Sequence, residues 1–357
     1  MPQNILTPDI VAREALLILK NNTVTASLVY RDYETEWKGA KVGDTVKIRR
    51  PASFTAQEFT STINVQDIDE GSVELQLEKH FDISVGVTAK EWTLELDEFS
   101  QRVIAPVMVG IGQAIDAYIL GKYVEIPNWF GDYEANGDPD SLADMAGVRK
   151  VLNILKAPLT DRNGIINPDA EAKYLTLDAI VNAEKSGSTQ TLREASLGRL
   201  MGANWFMDQN VPDHTPGTYT NLSGPTVNGA HSTGDTTLAI TATGGTETLK
   251  KGDLFTIAGI SDGFVVTADA TAAGGVITAS IYPALPSALS GGEAVSFVAT
   301  TNQTPYPNNL YFNRFGIALA VVPLELPKGN NNAQIVNYEG FGVRVVYGYD
   351  MQTKKDT

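Results

Sequence analysis

Residues 73 to 89 read VELQLEKHFDISVGVTA, and their apolar side chains keep almost to one parity. Val73, Leu75, Leu77, Phe81, Ile83, Val85 and Val87 would all project to the same side of an extended chain. At ~3.3 Å per residue a single strand of this length would reach on the order of 55 Å, about three times the usual length. Upstream, Val42, Val46 and Ile48 alternate as a second strand that runs into Arg49-Arg50-Pro51. Between the two strands, Pro51 to Gly71 is polar and poor in aliphatic residues. An isolated two-stranded ribbon is marginal in water, so this one is expected to need a surface outside itself.

The rest of the chain sets bounds on what that surface belongs to. With 357 residues, 43% hydrophobic and 19% charged, the sequence reads as globular and long enough for roughly two domains. Lys and Arg number 27 against 42 Asp and Glu, a net charge of −15. Broad nucleic-acid binding depends on basic side chains neutralising phosphates, so this balance argues against it. A chain that merely sits near DNA would gain from the same acidity by not sticking. There is no cysteine, hence no disulfide, thiolate metal site or cysteine nucleophile. The start, MPQNILTPDIVAREALLILKNN, has no basic region or small-residue cleavage site, so no signal peptide is expected. The most apolar run, Val103 to Ile115, is too short to span a bilayer, and a soluble chain follows.

Helix signals open at Thr7-Pro8-Asp9, a hydroxyl cap, an N-terminal proline and an acid at the positive dipole end, and close at Asn21-Asn22. After Trp92 the period changes: Phe99, Val103, Val107, Ile111, Ile115 and Ile119 predict a long helix within Leu96 to Tyr123. Pro106 should kink it or mark its first turn. A second helix is expected from Ser141 to Lys156, with Leu142, Met145, Val148, Leu152 and Leu155 on one face. Pro158 and Asp161-Arg162-Asn163-Gly164 read as the turn that closes it. A short strand is expected at Tyr174 to Leu177, then helices at Asp178 to Lys185 and Thr189 to Leu200. From Pro212 to Pro307 the chain turns rich in Gly, Thr, Ala and Ser. Short apolar runs such as LFTIAGI and AVSFVA alternate there with turn pairs, which predicts a small inserted antiparallel barrel or sandwich. Strand signals resume at Phe315 to Val322 and Val343 to Tyr349.

Catalytic and metal motifs are thin. DYEANGDPD, 132 to 140, places Asp132, Glu134, Asn136, Gly137 and Asp138 at the first positions of a calcium loop, but Ala143 stands where a bidentate Glu is needed. Those acids serve equally as a cap for the following helix. His80 lies off the apolar parity, His214 and His231 fall in expected loops, and none has a second ligand at helical spacing. No Gly-x-Ser-x-Gly elbow or phosphate loop is present. No catalytic, cofactor or metal residue is assigned. Arg49 and Arg50 form a basic spot at the ribbon base, suited either to solvent or to acidic groups of a neighbouring subunit.

These segments together resemble the major capsid (coat) proteins of tailed bacteriophages, in the branch with an inserted β-domain. LTPDIVAREALLILKNN is similar to the family's N-terminal arm helix, and GAKVGDTVKIRRPASF to the strand entering its extended loop. VGVTAKEWTLELDEFSQRVIAPVMVGIGQAID resembles the return strand and spine helix, with the proline at 106. TLREASLGRLMGANWFMDQNVPDH, GDLFTIAG, NLYFNRFGIALAVVPLELP and GFGVRVVYGYD resemble the axial segment, the insert and the closing strands.

The resemblance implies an α+β, Hong Kong-type shell fold. Its parts would be an N-terminal arm (1–38), extended loop (39–90), peripheral domain with spine helix (91–157), axial domain (158–221), inserted β-barrel (222–303) and returning strands (304–357). It further implies a non-catalytic shell protein forming hexamers and pentamers around double-stranded DNA. Its partners would be a scaffolding protein, a portal and, as a further candidate, decoration proteins, with no membrane. Assembly would occur in the host bacterial cytoplasm and the protein would reside in the virion. Arg49, Arg50, Phe54 and Phe59 would then be inter-subunit contacts. The competing expectations are an extracellular β-rich binding module and a hydrolase carrying an inserted β-domain.

Overall fold

A computed structural model describes residues 12–13, 15–19, 23–33, 45–49, 54, 56, 58, 67, 71–88, 103–131, 139–182, 184, 190–219, 224–242, 245–299, 304–322, 333–338, 341–346, 349–350 and 355–356. The chain divides into two compact units. One comprises Met1–Asn22, Tyr30–Gly112 and Ala318–Thr357; the other comprises Thr23–Val29 and Gln113–Ile317.

In the first unit, the described part of the N-terminal helix buries Ala12, Ala15, Leu16 and Leu19, the i, i+3, i+4, i+7 face of an amphipathic helix. Its expected cap, Thr7, lies outside the described residues. Thr45–Arg49 pairs antiparallel with Ser72–Gln76, Thr45 opposite Gln76 and Arg49 opposite Ser72. The ribbon base is therefore where the alternation put it. The single long strand is not: the ladder ends at Gln76, and Leu77 to Gly86 joins no ladder among the described residues. Val87–Thr88 then pairs with Lys355–Asp356, which also pairs with Tyr349–Asp350. A strand needs a hydrogen-bonded neighbour as well as parity, and among the described residues the upstream strand supplies Thr45–Arg49. Ala333–Tyr338 and Phe341–Val346 form a separate hairpin.

The long helix runs Ala105–Leu120 and continues as a 3-10 turn, Gly121–Glu125. Pro106 sits in its first turn, where a missing N–H costs nothing. Ile104, Met108, Ile115, Ile119 and Leu120 are buried along it.

In the second unit, Leu142–Ile154 is a helix begun by Ser141, whose backbone N–H and hydroxyl both donate to Asp144. It covers a four-stranded sheet in the order Leu310–Asn313, Arg162–Ile166, Ala203–Met207, Gly198–Leu200, the central pair parallel and the others antiparallel. Met145, Ile166, Ala170, Tyr174, Ile180, Leu197, Ala203 and Trp205 form the core between them.

Four expectations are corrected in this unit. Arg162-Asn163-Gly164 is no turn but part of a fully buried strand; only Asp161, at φ 53°, makes the corner. Gly164 is small because the Trp205 ring lies over it, where an added Cβ would come within 2.5 Å of the indole. Tyr174 belongs to the helix Pro168–Leu175, whose Asn167 side chain accepts from Ala170 N–H and whose first position is proline. Among the described residues, helix runs over Asp178–Val181, breaks at Asn182, is present again at Glu184 and runs over Gln190–Glu194, while Gly198–Leu200 of the expected Thr189 to Leu200 helix is a strand. The strand expected at Phe315 to Val322 lies earlier, at Leu310–Asn313, followed by a 3-10 turn at Arg314–Gly316.

The Gly- and Thr-rich region is β-structure, as its spacing indicates. Its main sheet is antiparallel and five-stranded, in the order Val295–Phe297, Leu254–Ile257, Gly263–Val266, Val276–Tyr282, Thr237–Thr241. Among the described residues no closed barrel is seen. Pro225 to Asn228 lies between the two edge strands, bridged to Ala294 on one side and to Ile240 on the other and bonded through its backbone to both. Phe255, Phe264, Leu238, Ile240, Ile277, Ala279 and Val266 are fully buried in a core of its own.

Candidate assembly surface

The ribbon leaves its apolar parity uncovered. Val73 is 40% exposed, Phe81 39%, Ile83 43% and Val85 36%, while Leu75 and Leu77 are half-buried. Four large apolar side chains are thus exposed within thirteen residues, a denser run than the single exposed hydrophobics of an ordinary surface. Ile83 is steered by the long helix, where a Cβ at Gly110 would touch its Cδ1 at 3.4 Å. On the opposite parity, Lys47 and Glu74 face each other across the ribbon at 3.3 Å; both are exposed, so the pair adds little stability.

Of the expected contact residues, Arg49 is exposed at the last ladder position and Phe54 is 62% exposed. Arg50 and Phe59 lie outside the described residues, as does Asp132 to Asp138 of the calcium-loop motif. Among the described residues no group of three or more His, Asp or Glu is placed to hold a metal. No described helix is long and apolar enough to cross a membrane.

Two buried polar nodes escaped sequence reasoning. His214, expected in a loop, is in a short strand, Asp213–His214, and is buried. Its Nε2 lies 2.8 Å from Asp253 Oδ1 and its Nδ1 2.9 Å from the Tyr123 hydroxyl. A carboxylate only accepts, so Nε2 carries the proton and Nδ1 accepts from Tyr123 in the neutral ring. Asp253 also accepts from the Lys250 and Gly217 N–H groups. Burial, with Asp253 and Asp213 nearby, pushes the Tyr123 hydroxyl up to about 12. The set ties the end of the long helix to the β-region, with His214 and Asp253 sealed from solvent.

The second node is Asp116 on the long helix, which accepts from Val24 and Ala26 N–H at 2.8 and 2.9 Å, while Thr25 donates its hydroxyl to Asp208. Burial holds the Asp116 carboxyl up at about 6 against the backbone donors, and the neighbouring Asp208 charge adds to the rise. Neither node has a local motif; each joins residues some forty to one hundred and eighty apart.

No protein-family model matches the chain, and no curated protein does. Among solved structures it is similar to a chain from Mycobacterium phage Che8 at 16% identity and TM-score 0.42, covering 80% of this chain and 90% of that one. It is similar to the capsid of cyanophage P-SCSP1u at 10% identity and TM-score 0.41, covering 80% and 87%. A third similarity is to the mature capsid of bacteriophage PhiM1, at 10% identity and TM-score 0.39, covering 80% and 86%.

Proposed function

We propose that this chain is the major capsid protein of a tailed bacteriophage, a structural subunit whose copies build a closed icosahedral shell around double-stranded DNA. The observation that carries the reading is the ribbon from Val73 to Val85, whose apolar side chains stand in solvent on a single copy. Four such side chains cost several kcal/mol left wet, at roughly 1.5–3 kcal/mol for each fully covered one. A second copy is the partner that a repeating shell supplies at every position. The net charge of −15 supports the same reading, because a container that does not grip its polyanionic content can fill and empty.

The finer parts of the proposal follow the family resemblance. Hexamers and pentamers form around a scaffolding protein in the bacterial cytoplasm, a portal occupies one vertex, and the finished chain resides in the virion. The parts of the subunit are the arm, extended loop, peripheral and axial domains and β-insert of the shell fold. Arg49, Arg50, Phe54 and Phe59 lie on the extended loop and meet the neighbouring copy. An extracellular binding module would account for the β-region but leaves the ribbon without a purpose.

Electron microscopy of the purified chain, co-expressed with its scaffolding protein, tests the reading. Closed shells of uniform size are expected. Monodisperse single subunits under those conditions would overturn it.

A further inference from the structure

The second half of the helix Leu142–Ile154 walls an open depression of about 640 Å³, lined by Ala146, Arg149, Lys150, Asn153, Ile154 and Met201. Its polar side chains all present donors. Arg149 gives one guanidinium N–H to the Met201 carbonyl and keeps others, and Lys150 has three. Asn153 is oriented from beneath: the buried Arg162 donates Nη1 to its Oδ1 at 2.9 Å, and since arginine only donates, the amide N–H groups are what Asn153 has left to offer. Among the described residues no carboxylate pairs with Arg149 or Lys150. The rest of the lining is apolar, and of it Ile154 is 67% and Met201 38% exposed.

We infer that this depression is a contact between copies, and that it takes an Asp or Glu side chain flanked by apolar residues from a second copy of the chain. The inference rests on the shell reading and names one of its contacts. Charge complementarity points to the occupant: a cationic, donor-only hollow on a molecule with 42 acids against 27 bases meets a surplus of carboxylates on every neighbour. A nucleic-acid phosphate would satisfy the cations but leave Ile154 and Met201 wet, and would have to approach a strongly acidic molecule.

Two measurements decide it. Particles assembled from equal parts of isotope-labelled and unlabelled subunits are treated with a zero-length carbodiimide, which joins a lysine amine to a carboxylate, and the digest is read by mass spectrometry. Lys150 is expected in peptides joined to Asp or Glu across the two labels. Lys150 left unjoined, joined only within one label, or shielded only in DNA-filled particles would overturn the inference. Lys150→Glu, which spares the Arg149 bond to Met201, is expected to slow assembly by light scattering at least about fivefold, with an unchanged unfolding midpoint. Normal assembly of this variant sinks the contact and leaves the shell reading standing, whereas a wild-type chain that forms no particles sinks both.

Discussion

Arg162 is 2% exposed and has no carboxylate partner among the described residues. It donates instead to Pro158 O, Ala157 O and Asn153 Oδ1 at 2.8–2.9 Å, the loose end of the helix Leu142–Ile154. The cation thus sits near the negative end of the helix dipole and ties down the carbonyls of the loop that leaves the helix. Arg162→Met should cost about 2–4 kcal/mol in urea unfolding, since it orphans three acceptors at once. Arg162→Lys should recover little, lacking the planar fork.

Asp116 makes a prediction of opposite sense. Its folded pKa of about 6 stands above the ordinary 3.8, so the folded chain binds that proton more tightly than the unfolded one. Its contribution is therefore most favourable below the unfolded value and is lost as pH rises through about 6, on the order of 3 kcal/mol in all. Asp116→Asn removes the titration, so the variant should lose less stability than wild type between pH 4.5 and 7.5 in parallel denaturation curves. Parallel pH profiles would mean that Asp116 does not titrate in this range. Neither residue could be read in advance, because both owe their roles to partners fixed only by the tertiary fold.

Elements were legible where a local signal agreed with the tertiary environment. Leu142, Met145, Val148, Leu152 and Leu155 at helical spacing specified a helix within two residues of its observed end. The stretch Asp161 to Gly164 misled because Asn-Gly is usually a turn pair, whereas here Gly164 makes room for Trp205, a partner 41 positions on. At Tyr174 an available signal was missed, the Asn-Pro-Asp cap of Asn167 to Asp169. The β-region was legible as strands but not in how its edges meet, since that depends on how Pro225 to Asn228 lies between the two edge strands.

The core of that region draws almost wholly on its own residues, from Val227 to Ala299, with Tyr219 and Tyr306 at its margins. Residues 222 to 302 expressed alone should therefore give dispersed amide resonances in a two-dimensional NMR spectrum. They should also be less stable than in the full chain, because the excision strips Asp253 of His214 and Gly217. A collapsed spectrum would show that the region depends on the rest of the subunit.

At the scale of the molecule, parity in the Val73 to Val87 stretch located an incomplete surface while overstating the strand that carries it. The ladder gives out after five pairs, and the apolar side chains continue past it into solvent. A repeating assembly turns that defect into specificity, since only a copy in the right position can cover Phe81, Ile83 and Val85 together. Removing residues 55 to 68 should leave a soluble subunit, judged by gel filtration, that no longer closes shells; normal particles would place the essential contact elsewhere. The arginines at the ribbon base add a term that salt can switch off. Charges near a surface are felt over about 30 Å at 0.01 M salt but only about 3 Å at 1 M. If Arg49 and Arg50 meet acidic groups of the adjoining copy, Arg49→Ala/Arg50→Ala should slow assembly strongly at low ionic strength and hardly at all at high ionic strength. A light-scattering rate reduced equally at both would assign the pair to packing through their aliphatic stems, and no reduction at either would remove them from the interface.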